Sequence, residues 1–265
     1  MKKSNNEFNN SEWAVMNANF LKGCRNDCKY CYAKAMAIQY NRKTPLTWAT
    51  EEVNQKNLIK PFKKGNGRIM FPSSHDIIPE FLSESISFLE NMLKQGNDAL
   101  IVTKPHLEVI KQLCSTFSDF KEKILFRFTI GSTKSDILAF WEPGAPSYEE
   151  RKQCLEYAFK KGFQTSVSCE PMLDSNVTEL VSELQPYVSD AIWIGKANAL
   201  KSRMKLNGIS DPDSMRMADL LIKSQSDENI KVLYNRLCDN PQIKWKSSIK
   251  KVMNLEISTI KGRDK

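Results

Sequence analysis

Short β-branched runs alternate with longer amphipathic stretches through the middle of this 265-residue chain, and that alternation restricts its fold more than any other feature. Residues 68–71 (RIMF), 99–103 (ALIVT), 124–130 (ILFRFTI), 164–168 (QTSVS) and 191–194 (AIWI) read as strands. Helices are predicted between them over 79–95, 107–117, 147–161 and 177–184, and one long helix over 215–237. Ser147 with Glu150 forms a capping box, while Gly96 and Gly162 stop the helices before them. An early strand within 13–21 completes about six β/α units. Apolar strands without strict alternation, joined by helical crossovers, imply a parallel sheet covered by helices. Repeated right-handed crossovers curl such a sheet into an open barrel with its chemistry at the carboxyl ends of the strands. The expected architecture is therefore α/β, a partial (β/α)6 barrel over 13–240. A polar segment, 1–12, precedes it, and a small helical, basic extension, 241–265, follows from Pro241. That extension reads as a helix docking Trp245 and Ile249 on the barrel, or as a basic arm whose Trp245 stacks on a nucleic-acid base.

The net charge of +8 is unevenly spread. Residues 1–68 carry 13 Lys/Arg against 5 Asp/Glu, residues 69–240 carry 19 against 24, and residues 241–265 carry 7 against 2. Such asymmetry suits a polyanionic partner such as nucleic acid, through Coulomb steering and counterion release. A solvated lysine-rich surface is the competing reading. No apolar run approaches the roughly 20 residues of a membrane span, and residues 1–10 lack the apolar core of a secretion signal. The expected location is the reducing cytoplasm, off the membrane. There the seven cysteines stand as thiols and metal ligands rather than as disulfides.

Three of those cysteines lie together in Gly23-Cys24-Arg25-Asn26-Asp27-Cys28-Lys29-Tyr30-Cys31-Tyr32, just after the first predicted strand. Three thiolates at this spacing can wrap one face of a [4Fe–4S] cube and leave the fourth iron without a protein ligand. S-adenosylmethionine (SAM) fits that vacancy through its amino and carboxylate groups. One electron passed into its sulfonium then yields methionine and a 5′-deoxyadenosyl radical. Structural zinc is the rival occupant, but it wants a fourth ligand, and His75, His106 and the other cysteines stand far off in sequence without paired spacing.

The Cys-x3-Cys-x2-Cys spacing followed by an aromatic resembles the signature of the radical SAM superfamily. Within it the chain resembles the spore photoproduct lyase-related, DNA repair photolyase-like branch. Residues 27–32, Ile101-Val102-Thr103-Lys104, Trp141 to Pro146 with Arg151, and Ser168-Cys169-Glu170-Pro171 carry the likeness, which spans about residues 13–195, roughly three quarters of the chain. The resemblance implies a radical SAM barrel in which Lys104 pairs with the SAM carboxylate. It implies that Ser73, Ser74 and Asp76 grip the methionine amine where other members carry Gly-Gly-Glu, and that Thr129 or Ser132 holds the ribose. Tyr30 and Tyr32 would shield cluster and adenine. For Asp76 a helix cap is the alternative, for Lys104 a surface position, and His75 stands alone in its loop. Trp141 and Glu142 are expected at the substrate mouth, and Lys196 and Asn198 on the rim. The lyase uses a loop cysteine as hydrogen donor, yet none occurs here between Cys31 and Cys114. Cys169 is the one candidate to replace it in catalysis, Cys114 and Cys154 reading as core.

The expectation is thus an enzyme that cleaves SAM and abstracts hydrogen from a substrate, nucleic acid or a nucleotide, with a flavodoxin or ferredoxin as reductant. Modification of a peptide or small metabolite is the alternative chemistry, and a zinc-holding nucleic-acid-binding module the non-catalytic one.

Overall fold

The computed structural model describes residues 12–262, so nearly all of the predicted 1–12 segment lies outside the described residues. In chain order the elements are β1 (Met16–Asn17), β2 (Leu21–Lys22), α1 (Tyr32–Gln39), β3 (Glu52–Val53), α2 (Gln55–Leu58), β4 (Arg68–Phe71) and α3 (Leu82–Lys94). Then follow β5 (Asp98–Thr103), α4 (Leu107–Thr116), β6 (Ile124–Thr129), α5 (Ser135–Trp141), α6 (Tyr148–Lys160), β7 (Gln164–Cys169) and α7 (Val177–Leu184). Last come β8 (Ile192–Ile194), α8 (Leu200–Leu206), α9 (Pro212–Ser224), α10 (Asp227–Leu237), β9 (Ile243–Trp245) and α11 (Ser247–Met253). One sheet runs β1-β4-β5-β6-β7-β8-β9, and every pairing in it is parallel. The predicted α/β architecture is the observed one.

Strand residues divide between two cores as their side chains alternate. Ile69, Phe71, Ala99, Ile101, Phe126, Phe128, Val167 and Ile192 pack under the helices. Met70, Leu100, Leu125 and Trp193 point the other way and meet Trp13 and Ala14. The sheet curls far enough for Trp13, ahead of β1, to meet Trp193 of β8 edge-on at 5.6 Å. Between those two rings the Arg127 guanidinium lies 4.8 and 5.0 Å from the centroids, and its Nε donates to Ser166 Oγ at 2.9 Å. A cation held between aromatic faces thus joins the aliphatic side chains of Met70, Leu100 and Leu125 in filling the interior.

Three departures from the sequence reading have local causes. The sheet has seven strands where six were counted, because residues 243–245 of the expected extension pair with β8. Trp245 and the Ile249 of α11 are buried, as the docking reading required. The long helix over 215–237 is two helices, α9 and α10. Ser226 caps the second, its side chain accepting from Asn229 N, and Asp211 caps the first ahead of Pro212. The residue between them, Gln225, is engaged by strand ends: its amide donates to Met172 O at 2.8 Å and accepts from Ala197 N at 2.7 Å. The early strand shrinks to Met16–Asn17 in the sheet, after which Leu21–Lys22 pairs antiparallel with β3.

Candidate active site

The cysteine loop leaves β2 through Gly23, whose φ of +98° suits glycine; a Cβ there would stand 2.5 Å from Thr50 O. Cys24 N donates to Trp48 O at 3.0 Å. Cys31 caps α1, its Sγ accepting from Lys34 N at 3.3 Å. Inside the loop the Lys34 ammonium, 3% exposed, meets Asp27 Oδ1 at 2.6 Å. From outside, Asn207 at the end of α8 donates to Lys29 O and Cys31 O, both at 3.1 Å. On another side Lys29 N donates to Trp141 O at 2.9 Å and Gly144 N to Asn26 O at 3.2 Å. A Cβ on Gly144 would lie 2.1 Å from Arg25 O, so only glycine permits this approach. Three separate segments thus hold the loop so that Cys24, Cys28 and Cys31 all line one cavity at the carboxyl ends of the strands.

Asp76, buried beyond β4, connects that loop to the sheet. Its Oδ2 accepts from Asn26 Nδ2 at 2.7 Å and from Lys104 N at 3.1 Å. Its Oδ1 accepts from the Thr103 hydroxyl and from Ile77 N, the latter at 3.0 Å. Burial raises its pKa, opposed by Lys104 and these donors. The helix-cap alternative does not hold, since the helical turn begins three residues later, after Ile78, with no side-chain cap. The neighbouring serines are set by Asn19, whose Oδ1 accepts from Ser73 N at 2.8 Å and Ser74 N at 3.0 Å while its Nδ2 donates to Ser73 Oγ at 2.8 Å. The Tyr32 hydroxyl donates to Ser73 O.

Glu142 supports the cavity floor rather than its mouth: it and Trp141 are both 1% exposed. Its Oε2 lies 2.6 Å from Arg151 Nη1, the Tyr30 hydroxyl donates to its Oε1, and Lys104 Nζ stands 3.9 Å away. Burial works against this carboxylate, but Arg151 and Lys104 outweigh it and its pKa is lowered. Burial likewise penalises the Lys104 ammonium; Cys28, Glu142 and Asp76 more than offset this, and it stays charged. Burial pushes the three thiols up, Cys28 to about 12; Lys104 opposes this at Cys28 and Cys31, and the Asn26 backbone at Cys24.

Ten of the twelve site residues expected from sequence line the one cavity: Cys24, Cys28 and Cys31, then Tyr30, Tyr32, Ser73, Ser74, Asp76, Lys104 and Thr129. Ser132 does not; its hydroxyl binds Asp174 at 2.5 Å and accepts from Lys134 N, so of the ribose pair Thr129 faces the cavity. Cys169 does not either. It follows cavity-lining Ser168 on β7, so the pleat turns its thiol, 0% exposed, into the helix-side core. Lys196 and Asn198, expected on the rim, are among the residues that line the cavity. The cavity lining adds Trp13, Glu170 and Lys246, a cluster that sequence reasoning missed. Lys246, 3% exposed, lies between Glu12 at 2.8 Å and Glu170 at 3.3 Å and 4.0 Å over the Trp13 ring. Asn19, Asn26 and Asn207 were also missed, because a single asparagine carries no spacing signal.

Among the described residues no three His, Cys, Asp or Glu side chains already stand in a metal-holding arrangement. Fit therefore rests on donor chemistry. Three thiols of one eight-residue loop face one cavity and feel one another's charge. Asp76, the carboxylate that lines the cavity beside Cys24, has both oxygens engaged. A three-thiolate donor set suits an iron–sulfur cube with one open iron and does not complete a four-ligand zinc site.

No protein family model matches the chain. It is 28% identical over 173 residues to an uncharacterised protein of Methanocaldococcus jannaschii, a match covering 63% of this chain and 64% of that one. Among solved structures, a spore photoproduct lyase variant with bound AdoMet and dinucleoside spore photoproduct superposes with a TM-score of 0.50 at 17% identity, covering 71% of this chain and 59% of that one. The same lyase complexed with dinucleoside spore photoproduct gives 0.50 at 16%, covering 72% and 60%. Streptococcus suis SuiB bound to S-adenosylmethionine gives 0.50 at 13%, covering 92% and 52%. The chain thus spans less than two thirds of each of these proteins. What it shares with the solved structures is their fold, a parallel sheet covered by helices. Its architecture is similar to those of spore photoproduct lyase and SuiB.

Proposed function

We propose that this chain is a radical SAM enzyme whose Cys24, Cys28 and Cys31 hold a [4Fe–4S] cluster. The observation that carries this reading is the convergence of three loop thiols with Lys104, Thr129 and the Ser73–Ser74 pair around one cavity. When bound, the cluster supplies one electron to the sulfonium of SAM, opening it to methionine and a 5′-deoxyadenosyl radical. The protein's part is placement. Lys104, kept charged by its acidic neighbours, offers an ammonium to the methionine carboxylate. Ser73 and Ser74, their backbone fixed by Asn19, turn polar groups toward the amine, and Thr129 toward the ribose. Asp76 acts on the same site by tying Asn26 of the cysteine loop to Thr103 and the Lys104 backbone, which ranks it as an organiser of the site. Tyr30 and Tyr32, both hydrogen-bonded, keep an aromatic wall beside the thiols.

For the substrate we propose a nucleic acid or nucleotide. Support comes from the net +8 over residues 1–68 and from a fold neighbour solved with a dinucleoside lesion. Anaerobic reconstitution with iron and sulfide tests the first proposal. About four iron per chain, SAM cleaved under dithionite, and loss of both in Cys28→Ala are the expected results. Stoichiometric zinc without SAM cleavage overturns it. Affinity for a single-stranded oligonucleotide that falls steeply with salt supports the substrate reading, and salt-insensitive turnover of a peptide or small metabolite overturns it.

A further inference from the structure

Two segments beside the cysteine loop, residues 32–50 and 191–210, contain no acidic residue. The two segments bury Lys34 and Lys43 in ion pairs with Asp27 and Glu52 and pair Lys196 and Lys201 with Asp227 and Asp219, leaving Arg42 and Lys205 exposed. They meet where Pro45 packs on Gly208, a Cβ on which would stand 2.8 Å from the Pro45 Cβ. Leu46 and Leu206 flank that contact and are 94% and 45% exposed. Tyr40, at the end of α1, is 58% exposed, and the Arg42 guanidinium lies 5.1 Å over its ring. Lys205 and Arg42 are exposed beside these apolar groups. Of the acids that border the surface, Glu51 and Glu52 are paired with Arg25 and Lys43, and Asp211 faces Lys29.

This surface is one layer from the thiols and separate from the cavity. Leu46 precedes by two residues the Trp48 whose carbonyl receives Cys24 N at 3.0 Å. Leu206 adjoins Asn207, which donates to Lys29 O and Cys31 O. None of Tyr40, Leu46 or Leu206 lines the cavity.

We infer that the Leu46–Leu206 surface docks an acidic electron-carrier protein, of the one-electron flavin or iron–sulfur class. The inference rests on the cluster reading above. Projecting aliphatic side chains flanked by Arg42 and Lys205 match a protein partner with an apolar centre and an acidic rim. A phosphate backbone would use the cations and leave Leu46 in water. In the transfer, the reduced carrier loses one electron and the iron–sulfur centre gains it, with no bond made or broken.

Flavodoxin serves as the probe, with Leu46→Glu, Leu206→Glu and Arg42→Glu as variants. Each variant should weaken flavodoxin binding, read by fluorescence titration, by about tenfold or more. Each should slow flavodoxin-driven SAM cleavage equally, while dithionite-driven cleavage stays at the unsubstituted level. Variants that bind flavodoxin like the unsubstituted chain overturn the inference, as does loss of oligonucleotide binding with flavodoxin binding intact. If the unsubstituted chain fails to cleave SAM even with dithionite, the cluster reading has failed, and the binding titration still decides the surface.

Discussion

The carboxylate of Glu142 and the guanidinium of Arg151 meet at 2.6 Å with both side chains wholly buried, each 0% exposed. Arg151 is further committed to Pro146 O at 2.9 Å and Thr129 O at 3.1 Å. The pair joins α6 to the segment that props the cysteine loop and sets the field at Tyr30 and Lys104. Removing one partner of a buried pair strands the other's charge, at a cost of about 3–5 kcal/mol. Arg151→Met should lose stability of that order in urea denaturation, and adding Glu142→Gln should recover part of it. A single-variant loss under about 1 kcal/mol would contradict the buried-charge account.

Gly144 and Arg25 make a second dependence. With a Cβ only 2.1 Å from Arg25 O, Gly144→Ala must push the cysteine loop away, an overpacking worth about 1–3 kcal/mol. The expected outcome is reduced iron content after reconstitution with an unchanged far-ultraviolet circular dichroism spectrum. Full iron retention would mean that the loop tolerates displacement.

His75 makes stability depend on acid. Burial between Phe20 and Phe71 pushes its pKa down to about 4 from an ordinary 6.5. The unfolded chain therefore takes up a proton near pH 6.5 that the folded chain refuses until near pH 4. Stability is lost as pH falls through that window, by up to about 3 kcal/mol. His75→Phe removes the titrating group, so the difference in unfolding free energy between variant and parent should shift in the variant's favour from pH 7 to pH 4.5. A difference constant with pH would refute the assignment.

Cys169 and Cys28 separate the two faces of the sheet. Cys169→Ala, in the helix-side core, should keep iron and SAM cleavage and lose about 1 kcal/mol of stability. Cys28→Ala should lose iron outright. Loss of SAM cleavage in Cys169→Ala with iron retained would return that thiol to the reaction.

Much of this was legible in the chain itself. The β/α alternation and the turn glycines set the architecture, because periodicity and capping are local properties that a short window of residues expresses. The spacing of Cys24, Cys28 and Cys31 marked the site for the same reason: one loop carries all three donors. The strand-end residues Ser73, Ser74, Asp76, Lys104 and Thr129 could be expected at the cavity because parallel strands deliver their carboxyl ends to one side. Tertiary structure alone decided which side of β7 Cys169 occupies, that Glu142 lies beneath the site, that residues 243–245 extend the sheet, and that Lys246 joins Glu12 to Glu170 across more than 150 residues of chain. Those outcomes depend on how far the sheet curls and on which buried charges must find partners, and such long-range requirements leave no periodic trace in the sequence.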